Sequence, residues 1–174
     1  MPEFSYDFDP VDRITAGAIG QPGQRTFYLQ ARNGRQLVSF VVEKEQVSAL
    51  AGAIEQLLES LAEKNPLLST SDDMIMFASM ELEEPVEEAF RVGQIGLGWD
   101  EGRDLLVLIV QEAGSGETGE SLETARLTFT REQGRSLAQH GNEIVAKGRP
   151  RCPQCGEPMN PEGHFCAKKN GHAT

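Results

Sequence analysis

The chain has 174 residues, 39% of them hydrophobic and 25% charged, with a formal net charge of −11 at pH 7. This is the composition of a folded soluble domain of ordinary size with room for a small appendage, and it excludes disordered and fibrous classes. The longest uninterrupted aliphatic run, residues 105–110, falls far short of the roughly 20 residues that cross a bilayer, and the Met-Pro-Glu-Phe-Ser start lacks a signal-peptide pattern; a cytoplasmic protein with no membrane partner is expected.

In chain order, residues 4–8 place Phe4, Tyr6 and Phe8 at alternate positions, as a strand does. Residues 12–19, 25–31 and 35–42 have strand composition and are separated by Gln21-Pro22-Gly23 and Asn33-Gly34. Asn-Gly between apolar runs is a strong hairpin signal, because Asn and Gly tolerate the positive φ of a tight turn. A helix is predicted over residues 45–64, where Val47, Leu50, Ile54, Leu57, Leu58 and Leu61 recur at helical period until Asn65-Pro66 stops it.

The second half repeats the pattern. Residues 74–80, 90–97, 104–111 and 124–129 read as strands, with Asp100-Glu101-Gly102 as the turn of the central hairpin. Thr130-Arg131-Glu132-Gln133 has the form of a capping box and opens a second helix. Its apolar stripe is poorer (Leu137, Ile144, Val145), and Gly134 and Gly141 each cost about 1 kcal/mol against Ala. The two helix starts share Glu-Gln at Glu45-Gln46 and Glu132-Gln133, and the preceding Phe40 and Val42 align with Leu127 and Phe129 at the same offset.

The expected fold class is therefore α+β: two repeated units, about residues 1–66 and 72–147, of antiparallel strands followed by a helix. Together they form a body of residues 1–148. Four strands and a helix, twice over, look like the topology of Whirly and Pur-type single-stranded nucleic-acid binders, a likeness of element order that does not confer function.

Residues 149–174 differ. From residue 1 to 146 there are 11 Lys and Arg against 25 Asp and Glu, whereas residues 147–174 carry five against two. All three cysteines and two of the three histidines fall in this tail. Cys152-Pro153-Gln154-Cys155-Gly156 spaces two thiolates so that a tight turn aims both at one point, about 2.3 Å from a zinc ion. Pro153 stiffens such a turn, and Cys166 supplies a third thiolate after a short return. The fourth ligand must be a histidine. His172 is preferred, with His164 as the alternative, because a residue two positions before Cys166 points away from its sulfur in an extended strand.

Three Cys and one His form a closed set of the type that holds structural Zn2+. A short Pro- and Gly-rich segment buries little core, so metal binding can supply its folding energy. A thioredoxin-type redox pair is disfavoured, since no strand precedes the motif and no helix pattern follows it. The module reads as a zinc knuckle or ribbon.

Other candidate sites in the body are weaker. His140, between Leu137 and Ile144, reads as a residue at the rim of the core. The glycines of residues 93–98 lack the strand-loop-helix setting of a nucleotide loop and read as a bent strand, and residues 114–119 contain no Lys to hold a phosphate. Asp72-Asp73 and the carboxylates of residues 81–88 read as a solvated face, and Met74, Met76 and Met80 as strand core. Arg25, Arg32, Arg35, Arg103 and Arg126 at strand ends, with Phe27, Tyr28 and Trp99, could make a basic face for single-stranded nucleic acid. The sequence pI of 4.7 is the reverse of the usual footprint.

The chain also resembles a bacterial family known as a domain of unknown function, number 3090. The likeness rests on Asp12-Arg13-Ile14-Thr15-Ala16-Gly17, residues 22–30, and the tail motifs Cys152-Pro153-x-Cys155-Gly156, Pro161-Glu162-Gly163-His164-Phe165-Cys166 and Asn170-Gly171-His172. It implies no established activity, so no catalytic residue carries over from it. The expected function is a non-enzymatic binding or scaffold protein with a structural zinc and a protein partner. A single-strand binder and a carboxylate-based enzyme, using residues 81–88 or a pocket around Tyr28 and His140, are the alternatives.

Overall fold

The computed structural model describes residues 4–21, 23–64, 80–114 and 122–147. Within them the chain forms β1 (Tyr6–Phe8), β2 (Arg13–Ile19), β3 (Thr26–Asn33), β4 (Gln36–Val42), α1 (Lys44–Lys64), β5 (Glu88–Asp100), β6 (Leu105–Glu112), β7 (Thr124–Phe129) and α2 (Arg131–Lys147). The fold is α+β, and the seven strands form one sheet in the order β1-β7-β6-β5-β4-β3-β2. Each half contributes an antiparallel meander and a helix, with α1 and α2 starting at Lys44 and Arg131. The halves join through the parallel pair β4 and β5.

The first half has the four expected strands, but only three of them, β2, β3 and β4, pair with one another. The first strand does not pair within its own half. It runs parallel to β7, with Asp7 opposite Arg126. Alternation of Phe and Tyr identified a strand there but held no information about its neighbour, which is set by long-range packing. Residues 74–79 of the other expected strand lie outside the described residues, and Met80 is in no strand.

β1 and β2, the two ends of the sheet order, are successive pieces of one chain segment. Between them Val11 N donates to Thr128 O of β7 and Asp12 N donates to Arg32 O of β3, both at 2.8 Å. The sheet therefore curls until its two edges are bridged by residues 11–12, which leaves less open edge for unwanted pairing. The curl also brings Tyr6 to 6.0 Å, ring to ring, from Phe40, which itself lies 4.8 Å from Phe90.

The concave face carries alternate apolar residues of every strand and receives both helices in one core. On α1, Val47, Leu50, Ala51, Ile54, Leu58 and Leu61 are buried, as the 3.6-residue period requires. The start of α2 is the reciprocal capping box expected of its sequence: Thr130 N donates to Gln133 Oε1 at 2.9 Å, and Gln133 N donates to Thr130 Oγ1 at 3.1 Å. α1 starts similarly, with Glu43 N donating to Gln46 Oε1 at 2.7 Å.

The glycines of α2 have a packing reason. A Cβ on Gly134 would stand 3.2 Å from both Leu106 and Phe129, and one on Gly141 would stand 3.3 Å from Val47. Both lie where α2 approaches its neighbours closely, so the propensity they cost is offset by contact.

Candidate functional site

Strands β2, β3 and β4 carry a polar row on their convex face. Thr15 pairs with Gln30, and Gln30 with Ser39, in register. These residues are 0, 1 and 1% exposed, which would be costly if their polar groups lacked partners. The partners come from the segment of residues 80–87, which crosses the strands as a strap. Thr15 Oγ1 donates to Met80 O at 2.6 Å, Gln30 Nε2 donates to Glu83 O at 3.0 Å, and Glu83 N donates back to Gln30 Oε1 at 2.7 Å. Gln30 Nε2 also donates to Ser39 Oγ at 3.0 Å. Arg13 donates to Glu81 O, and Arg32 Nε meets Glu83 Oε2 at 3.1 Å.

The strap divides the carboxylate run by function. Glu83 is drawn onto Arg32, while Glu84, Glu87 and Glu88 are exposed, as a solvated face should be. The strap had no sequence signature as an element, because its backbone makes neither helix nor strand. The available clue was polar: Thr15, Gln30 and Ser39 stand inside otherwise apolar strands and need partners.

Between strap and α2 lies a groove of about 350 Å³. Its floor is the end of β2, from buried Gly17 to exposed Ile19; Leu82 and Val86 form one apolar wall, and His140 and Ile144 of α2 the other. Glu81 and Glu84 bring carboxylates to its rim. Ile19 is 49% exposed, unusual for a large aliphatic side chain on a strand of the core sheet. The end of α2 is held beside this groove by Arg25, whose Nη2 donates to Ile144 O at 2.6 Å. Burial pulls the Arg25 pKa below its ordinary value, and its guanidinium lies 4.8 Å from the Phe27 ring centroid.

His140 is half-buried, between buried Leu137 and Ile144, so the expected rim position is what the structure shows. The structure brings His140 to the 81–86 segment; Tyr28, grouped with it in the sequence, is not among the groove's lining residues.

The arginines do not converge on a basic face. Arg126 makes a bidentate pair with Asp7 at 3.0 and 2.7 Å, and Arg103 bridges Asp9 at 2.8 Å and Asp100 at 2.7 Å. Asp9 also accepts from Thr128 Oγ1 at 2.5 Å. That hydrogen bond, followed by the one from Arg103, holds the Asp9 carboxyl below its ordinary pKa. Asp9 and then Asp100 raise Arg103, and Asp7 raises Arg126. Arg32 is taken up by Glu83, with Asp12 at 3.9 Å, while Arg35 is exposed in the β3–β4 turn. Of the aromatics proposed for stacking, Phe27 is in the core and Trp99 donates to Asp104 at 3.0 Å.

The ligand set Cys152, Cys155, Cys166 and His172, with His164 as alternative, lies outside the described residues, as do Asp72, Asp73, Met74 and Met76 and the loop of residues 115–121. Among the described residues no group of three or more His, Cys, Asp or Glu could hold a metal ion, and no helix is long and apolar enough to cross a membrane. The glycines of residues 93–98 lie within β5, next to an irregularity between Val92 and Gln94.

A family model described as "Protein of unknown function (DUF3090)" matches residues 6–166. The span takes in Cys152, Cys155, His164 and Cys166 and stops before His172. No curated protein and no solved structure matches the chain.

Proposed function

The chain belongs to this family of unknown function, and on that premise we propose that it is a cytoplasmic, non-enzymatic binding or scaffold protein whose C-terminal module is organised by a structural Zn2+. The observation that carries the reading is the donor set: Cys152-x-x-Cys155, then Cys166, with His172 or His164 to close it. Three soft thiolates and an imidazole suit zinc, and a full set of four protein ligands matches a structural rather than a catalytic ion. The module, residues 149–174, supplies the surface for a protein partner, and the curled sheet with its two helices anchors it.

The engagement of Arg32, Arg103 and Arg126 by carboxylates supports a protein partner over nucleic acid, because phosphate binding would first have to break those pairs. The test is metal content in single variants of the full chain. Cys152→Ser should lose the zinc while the body's near-UV dichroism is unchanged. Comparing His172→Ala with His164→Ala identifies the fourth ligand: the preferred assignment expects metal loss from His172→Ala and retention in His164→Ala. Full zinc in the Cys152 variant would remove the reading.

A further inference from the structure

We propose that the groove between the strap and α2 is the docking site of the chain's own C-terminal module, residues 149–174. This deepens the zinc reading and relies on it for the module's shape. Three observations converge. Ile144 lines the groove and Lys147 ends α2 one helical turn later, so the module starts beside the groove, with its origin pinned by Arg25. Tethering at that distance gives an effective concentration in the millimolar range, enough for a weak contact to be occupied.

Charge is complementary: the module has Arg149, Arg151, Lys168 and Lys169 against Glu157 and Glu162, and the groove presents Glu81 and Glu84 on an acidic body. Apolar surface is complementary too. The groove exposes Ile19 beside Leu82 and Val86, and the module contains Met159 and Phe165, two large apolar side chains of the kind such a surface takes. A groove of this volume takes one or two such side chains, not the whole module.

The experiment is limited trypsin digestion of the full chain, with zinc measured in every sample, for wild type, Ile19→Arg and the control Ile109→Arg. Among the described residues Ile109 is the other exposed large aliphatic residue, and it lies on β6, outside the groove's lining. Cleavage after Lys147 and Arg151 should accelerate about tenfold in Ile19→Arg, because protease attack follows the undocked population. It should be unchanged in Ile109→Arg and should rise in wild type at about 0.5 M salt, where exposed charges are screened. Glu84→Lys, a substitution of an exposed rim residue, should give the same direction if Ile19→Arg does not fold.

Equal rates across all variants overturn the proposal; with zinc still bound, the metal reading survives that failure. Protection without zinc would instead sink the metal reading and leave the docking. Chymotryptic release after Phe77 in place of the tail would assign the groove to the segment before Met80. Conversion of a dimer to a monomer by Ile19→Arg would assign it to a second copy. Either result also overturns the proposal.

Discussion

Leu82 of the strap sits directly on Gly17 of β2, so closely that a Cβ on residue 17 would stand 2.5 Å from the Leu82 Cγ. No ordinary carbon contact is that short, and the clash is with the branch point of the side chain rather than its tip. Gly17→Ala should therefore lift the strap, separating Met80 and Glu83 from Thr15 and Gln30, at a cost of about 1–3 kcal/mol. Thermal unfolding measures the loss, and Gly17→Ala/Leu82→Ala should recover part of it. An unchanged melting temperature in Gly17→Ala would mean that the strap is not seated there.

Asp9 gives a pH signature. Its carboxylate joins the β1–β2 segment to β7 through Thr128 and to the β5–β6 turn through Arg103. Since its folded pKa is depressed, its stabilisation is fully present above the unfolded value and is lost as pH falls below about 4. Asp9→Asn should cost about 1–2 kcal/mol at neutral pH. The gap between variant and wild type in urea melts should close as the pH is lowered through that range. A gap independent of pH would show that the carboxylate charge is not what the segment uses.

The α2 capping box makes a separate prediction. Thr130→Ala removes the acceptor for Gln133 N and should cost about 1 kcal/mol. Thr130→Ser, which keeps the hydroxyl, should restore nearly all of it. Equal melting temperatures for Ala and Ser would mean that the cap contributes no measurable stability.

Local chemistry made much of this fold legible. The α1 stripe, the Thr130–Gln133 box and the alternating strands each follow from residues close in sequence. Even so, the β3–β4 turn is centred on Gly34 and Arg35, with Asn33 paired to Gln36, one residue later than Asn33-Gly34 would put it. What was not legible depends on distant partners. Tyr6 gave no sign that β1 would lie beside Ala125, Thr15 none that Met80 would satisfy it, and Gly141 looked like a helix weakness until Val47 was beside it. In the candidate site the order is reversed: the proposed metal ligands rest on spacing alone, while the groove at Ile19 had no sequence signal, because its two walls are more than fifty residues apart in sequence.

The zinc content of the full chain, purified without chelator and measured by elemental analysis, tests the central claim most directly. The expected result is one zinc per chain, lost on Cys155→Ser while the body's unfolding transition stays in place. A metal-free wild type, or a Cys155→Ser variant that keeps its full complement of zinc, would contradict it.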